Sequence, residues 1–415
     1  MKRILTLLAL CTALVSCSGV LAPDKGPDKW DRVMILYSAG FNDICIQLKK
    51  DQDELLDAGK GAYIPQRGSR QALLIYSHQP VSYGRWSEAT SPVLVMASTE
   101  PLNGKVVLDT IYRAPKGTLL TEKESMRSVL EMIRDGFPSE HYGLILSSHG
   151  TGWLPEGYYS KGLSGKSGII WNLRKSSVVD VNEISPVPVR TYGVEIPYDN
   201  VDKRREMSIT DLADAIPMHL DYLYMDVCLM GGIEVAYELK DKADRIAFSP
   251  AEVHGDGMYY TTVAEKLLKY STPDLRGVCE DFYNHYAQQF ATTALVECSE
   301  LDGLASVCSR LFEKYGSVLA SLNPSGIQGY FRFNCHWFYD LEDILRHCGI
   351  TAAEQQELDA ALQRCVIYKA ATKTVFELRI NTYCGLSMYL PVNGSGELDA
   401  FYKTLAWNKA TGLVK

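Results

Sequence analysis

The chain has 415 residues, 46% of them apolar, and a formal net charge of −8 at pH 7. That length suffices for a large core in one domain or two, and the apolar share is not that of a disordered chain. An acidic balance with no basic run argues against nucleic acid as a partner and is compatible with cationic ones.

Met1-Lys2-Arg3 followed by the apolar run from Ile4 to Val15 reads as an export signal, too short to span a bilayer as a mature helix. The run continues into Leu14-Val15-Ser16-Cys17, which resembles the bacterial lipobox. The resemblance implies cleavage before Cys17 and lipid attachment to its thiol. An ordinary secretory signal with a chance cysteine is the alternative. Residues 1–17 are therefore expected to be a lipoprotein signal and 18–29, rich in Pro, Gly and charge, a tether. The body would sit in the cell envelope, on the periplasmic side or the cell surface, held to the membrane by lipid alone.

Arg32 to Tyr37 reads as a buried strand, and Ala39 to Asp43 as the loop after it. Ala72 to Tyr76 and Val93 to Ala97 are further short apolar runs. Thr121 to Arg134 has apolar residues at helical spacing, with Thr121 and Glu124 in capping-box register. A strand at Tyr142 to Leu146 ends on Ser147-Ser148-His149-Gly150, and a long polar stretch runs from Gly150 to Met207. A helix at Ser208 to Ile216 precedes the strand Leu220 to Met225, which ends on Asp226-Val227-Cys228-Leu229-Met230-Gly231-Gly232. A helix at Ile233 to Leu239 and a strand at Arg245 to Ser249 follow.

Strands alternating with helices predict an α/β fold, a mostly parallel sheet with helices on both faces, over residues 30–298. Beyond residue 299, Leu301 to Leu322, Tyr339 to His347 and Ala352 to Ala370 read as helices. Late strands stand at Val375 to Ile380 and Leu386 to Leu390. Residues 299–415 are thus expected to form a mainly helical region packed on the core.

Ligands of an open α/β sheet gather at the carboxyl ends of its strands, so Cys228 and His149 are expected to meet there. A thiol becomes a nucleophile when a base or a helix N-terminus favours its thiolate, and both aids are at hand. The pattern reads as the active site of a cysteine peptidase. Eight further cysteines outside the signal, Cys45, Cys279, Cys298, Cys308, Cys335, Cys348, Cys365 and Cys384, contain no CxxC pair, so no zinc or redox motif is supported. Disulfides and buried thiols both stay open for them. A GxSxG or HExxH motif is absent, which ranks serine- and metal-dependent hydrolases far lower.

These blocks resemble the clostripain family of cysteine peptidases, which share the caspase-like fold. The resemblance rests on Val33 to Tyr37 with Asn42-Asp43, on YGLILSSHGTGW from Tyr142, on DVCLMGGIEVAYEL from Asp226, and on SPAEVHGDGMYY from Ser249. Weaker echoes stand at Phe338 to Leu341 and Gly385 to Pro391. It implies that Cys228 is the nucleophile and His149 its dyad partner, with no third residue nominated. The N–H groups of Gly150 and Cys228 would form the oxyanion hole. Asp226 and Asp256 would bind an arginine or lysine before the cleaved bond, as carboxylates suit guanidinium and ammonium groups. It also implies a zymogen that cuts itself between the two motifs, where Lys161, Lys166, Arg174, Lys175 and Arg190 offer basic sites and Lys166 is favoured. The expected partners are peptides or proteins with Arg or Lys at the cleaved bond. No cofactor is implied for catalysis; some relatives need calcium, and that requirement stays open, although no EF-hand loop is present. The alternative is a surface lipoprotein that keeps the fold to bind peptides or a partner without turnover.

Overall fold

The computed structural model describes residues 26–156, 158, 192–200, 205–286, 290–331, 337–392 and 394–415. The favoured cleavage residue Lys166, its four basic neighbours, Cys335 and the lipobox Cys17 lie outside these. In chain order the first strands are β1 (Arg32–Ala39), β2 (Gln71–His78), β3 (Val93–Thr99), β4 (Val106–Arg113) and β5 (Tyr142–Ser147). A small hairpin, β6 (Tyr192–Glu195) and β7 (Arg205–Met207), precedes β8 (Leu220–Asp226), β9 (Ala243–Phe248) and β10 (Thr292–Glu297). Later come β11 (Tyr339–Asp340) and β12 (Val366–Ala371).

One nine-stranded sheet organises the molecule, in the order β12-β10-β9-β8-β5-β1-β2-β3-β4. Its five central strands, from β9 to β2, are parallel. Antiparallel pairs finish both edges. Every residue of β1 is buried, as expected of a strand covered on two faces. Val33, Ile35 and Tyr37 enter one apolar core while Met34 and Leu36 enter the other, so alternate side chains of a single strand feed opposite layers. The first layer includes Met126, Leu130 and Ile133 of the helix Lys123–Gly136, and the second includes Val263, Leu267 and Val278.

Three local expectations change. The helix predicted from Thr121 begins at Lys123 with Glu122 at its N-cap and no side-chain cap, while the buried Thr121 hydroxyl makes no bond there. The helix predicted through Ala370 ends at Cys365, and Val366 to Ala371 instead pairs with β10 as the sheet's edge strand. Val366, Ile367 and Tyr368 favour that extended backbone because branching and rings pack on a pleated surface. The late strands shrink to a hairpin of Thr374–Val375 with Leu378–Arg379 and to Ser387–Met388, which pairs with β11. Other predicted signals hold: Ser208 accepts a bond from the Asp211 amide, and Asp340 caps the helix Leu341–His347. None of the eight described cysteines is in a disulfide. Among the described residues no helix is long and apolar enough to cross a membrane.

Candidate active site

Register brings the two motifs together. Ser147 at the end of β5 lies opposite Asp226 at the end of β8. His149 and Cys228 each follow two residues later, so both emerge at the same carboxyl edge of the sheet. Their loops touch: Gly152 has φ +65°, and a Cβ there would lie 2.7 Å from the Leu229 carbonyl oxygen and 2.8 Å from the Phe338 ring. Only glycine fits such an approach. Leu229 itself holds φ +62°, a left-handed conformation costly for a branched side chain. That turn is pinned by the Leu229 amide donating to Ala251 O at 3.0 Å and by Gly231 N donating to Ser249 O at 2.8 Å. The result is a sharp turn between strand and helix with Cys228 at its start.

Cys228 is half-buried. Its Sγ accepts from the Val253 amide at 3.3 Å and lies 3.6 Å from the Val253 carbonyl oxygen. The His149 ring is buried, and its Nε2 sits 2.9 Å from Asp43 Oδ1. A carboxylate there makes Nε2 the protonated nitrogen of the neutral ring and leaves Nδ1 as the basic one. Asp43 comes from the loop after β1. That loop is built by Asn42, whose Nδ2 donates to Ala39 O at 2.9 Å and Val194 O at 2.8 Å while its Oδ1 accepts from the Ile44 amide. The histidine's own backbone is tied to the chain that re-emerges at β6: Gly193 N donates to His149 O at 2.9 Å, and Gly150 bridges to Tyr192.

His149, Cys228 and Asp226 line one cleft, together with Asp51, Val253 and His254. It is narrow, with about 20 Å³ of free volume, close to the room one water needs. Asp226 is buried and accepts from the Tyr260 hydroxyl at 2.8 Å. Burial pushes its carboxyl up to about 6, against the pull of that bond and of the Met258 backbone. Asp51, from the helix Cys45–Leu55, is raised too, by burial first and then by repulsion from Asp226. Asp256 stands elsewhere. Its side chain is 56% exposed and lies 3.7 Å from His254 Nδ1, outside the residues that line the cleft.

The structure thus gathers His149, Cys228 and Asp226, sets Gly150 beside them in the histidine loop, and leaves Asp256 at the edge. Sequence reasoning missed Asp43 and Asp51. For Asp43 a signal existed, since Asn-Asp directly after a parallel strand places a carboxylate at the strand edge where sites form. For Asp51 there was none. It is one polar residue among several in the helix Cys45–Leu55, and only tertiary packing shows that it points inward. Among the described residues no group of three His, Cys, Asp or Glu is arranged to hold a metal ion.

The model of the clostripain family matches residues 190–409, a span that contains Asp226, Cys228 and Asp256 and begins after His149. No curated protein matches the chain. Among solved structures, an inactive zymogen of a C11 protease from Parabacteroides distasonis is 25% identical, with a TM-score of 0.74, covering 93% of this chain and 99% of that one. A secreted C11 cysteine protease from Bacteroides thetaiotaomicron, in complex with an irreversible peptide inhibitor, is 19% identical at a TM-score of 0.71, covering 92% and 98%. Another structure from that organism, of the secreted C11 cysteine protease iotapain, is 23% identical at 0.70, covering 92% and 99%. The last two speak for the fold alone.

Proposed function

Because the chain belongs to the clostripain family and is a cysteine peptidase with peptide or protein substrates, we propose that it is an endopeptidase cleaving after arginine or lysine through Cys228 and His149. The observation that carries this reading is the shared cleft, produced by the β5–β8 register, that both side chains line. His149 Nδ1 takes the thiol proton, and the Cys228 thiolate attacks the carbonyl carbon. The resulting oxyanion is received by the N–H groups of Gly150 and Cys228. The tetrahedral intermediate collapses to a thioester as imidazolium protonates the departing amine, and a water activated by His149 then releases the acid. Asp226 in the cleft and Asp256, whose neighbours Gly255 and Gly257 line it, neutralise the substrate's basic side chain. No cofactor takes part in these steps. Whether calcium is needed for activity is read by assay with and without a chelator.

The chain is further proposed to be made as a zymogen and to cut itself between the histidine and cysteine motifs, with Lys166 the favoured site. Two observations support it. The cleft has room for little more than a water, and the segment re-emerging at Tyr192 is stitched to His149. A cut upstream of Tyr192 would release one end of that segment. Export and anchoring through Cys17 complete the proposal; labelling of cells with radioactive palmitate should mark the protein and fail with Cys17→Ala.

The decisive assay is hydrolysis of a short fluorogenic peptide ending in arginine. The activated protein should turn it over and Cys228→Ala should not, with a loss of roughly 10³-fold or more. No turnover by the wild-type chain, even after limited trypsin treatment, defeats the catalytic reading. Turnover on leucine or aspartate peptides instead keeps the nucleophile and removes the acidic pocket.

A further inference from the structure

We propose that Asp51 is a specificity-determining residue of the substrate side-chain pocket, a buried carboxylate that meets the incoming cation together with Asp226. The proposal rests on the reading of the cleft as selective for arginine or lysine and adds to it a residue from a different part of the chain.

Four observations lead there. Asp51 lines the same cleft as Cys228, His149 and Asp226 although it comes from the helix after β1. It is 3% exposed, yet its Oδ2 has no hydrogen-bond donor. A buried carboxylate oxygen without a donor is costly to keep. Asp51 Oδ2 and Asp226 Oδ2 also converge on one point: a Cβ placed on Gly257 would lie 3.2 Å from the first and 2.5 Å from the second. Both oxygens therefore pack on the backbone of Gly257, at φ +62°, where any side chain would collide with Asp226.

Two acidic side chains that line one cleft, with oxygens converging beside Gly257, form an acceptor for a cation with several donors. Asp226 already receives the Tyr260 hydroxyl, whereas the facing oxygen of Asp51 has nothing. A guanidinium presents donors on more than one edge, so a single carboxylate leaves part of it unpaired and a second one completes the set. Burial is the first cause that raises both carboxyls, and repulsion from Asp226 raises Asp51 further. The other charges acting on Asp51 are Glu54 and Asp256, which raise it further, and Lys50, which opposes them. The Tyr260 and Tyr286 hydroxyls feel both aspartates and stay neutral, while His149 and His254 share the cleft wall. Binding of a cationic side chain would expel a proton held by these raised carboxyls to solvent and exchange it for ion pairs.

The test compares matched fluorogenic peptides ending in arginine or in citrulline, which has nearly the same shape and no charge, on the activated protein. Asp51→Asn keeps the volume, so folding is expected to survive. Its arginine-to-citrulline ratio of kcat/KM should fall roughly tenfold or more, since one of two charge-assisted acceptors is lost. Asp51→Glu, which restores the charge, should recover part of that ratio. A wild-type preference for arginine that Asp51→Asn leaves intact overturns the role of Asp51 and spares that of Asp226. A wild-type protein indifferent to arginine against citrulline overturns the basic-residue reading itself. If Asp51→Glu behaves no better than Asp51→Asn while both melt like wild type, charge at this position is irrelevant and the proposal falls.

Discussion

His149 reaches the cleft with one ring nitrogen already committed. The Asp43 carboxylate at 2.9 Å from Nε2 holds the ring in one orientation and one tautomer, so that the free lone pair is on Nδ1. Asp43→Asn keeps the shape and removes both effects, because the amide presents a donor as readily as an acceptor. Turnover should fall about 10- to 100-fold with KM little changed, since the group touches the base and not the substrate. Steady-state kinetics on an arginine peptide, alongside alkylation of Cys228 by iodoacetamide across pH, check this. An unchanged kcat and an unchanged alkylation profile would reduce Asp43 to a loop-building residue. Cys228 and His149 were legible as candidates because each sits at a strand end beside glycine, a local pattern. Asp43 and Asp51 were not legible as site residues, since each acquires its role from a contact about a hundred or more positions away in the chain.

At the scale of elements, what the chain disclosed depended on how local the cause was. The continuous apolar runs of β1, β5 and β8 are buried on two faces and therefore read as strands without ambiguity. Their parallel order follows from the helices between them. β4 was invisible because four of its eight residues are only half-covered and three are exposed, so hydrophobicity there is faint. The end of the helix at Cys365 was invisible for another reason. Ala352 to Cys365 and Val366 to Ala371 join without a glycine or proline, and the switch of period is imposed by pairing with β10. Thr121 shows the converse error. Its spacing to Glu124 fits a capping box, yet Glu122 takes the cap position, and the box forms elsewhere, at Thr351 with Glu354. The segments that decide function, the turns after β1, β5 and β8, share one edge because parallel strands put all their carboxyl ends on one side.

Across the whole molecule, the C-terminal segments are welded to the catalytic turn through one buried acid. Glu234 stands in the first turn of the helix Ile233–Leu239, directly after the Cys228 turn, and its side chain has no exposure. One carboxyl oxygen accepts from the Tyr389 amide and the Tyr402 hydroxyl, each at 2.8 Å, while the other has no donor. Burial outweighs those bonds and pushes the carboxyl up to about 7. The native state therefore keeps a proton that the unfolded chain has already lost above its ordinary value of 4.5. Stability from this group is complete below that value, declines as pH rises through the interval, and is gone above about 7. A shift of this size corresponds to about 3 kcal/mol at most. Asp51 and Asp226 are raised as well and add slope of the same sign. Glu234→Gln keeps an acceptor for Tyr389 and Tyr402 but cannot ionise, so its melting temperature should exceed wild type at pH 8 and approach it at pH 5. Thermal melts measure the difference, in a Cys228→Ala background that removes the proposed nucleophile. Parallel curves for the two proteins from pH 5 to 8 would mean that Glu234 ionises without cost. The joint between the catalytic turn and the C-terminal segments would then have to admit water.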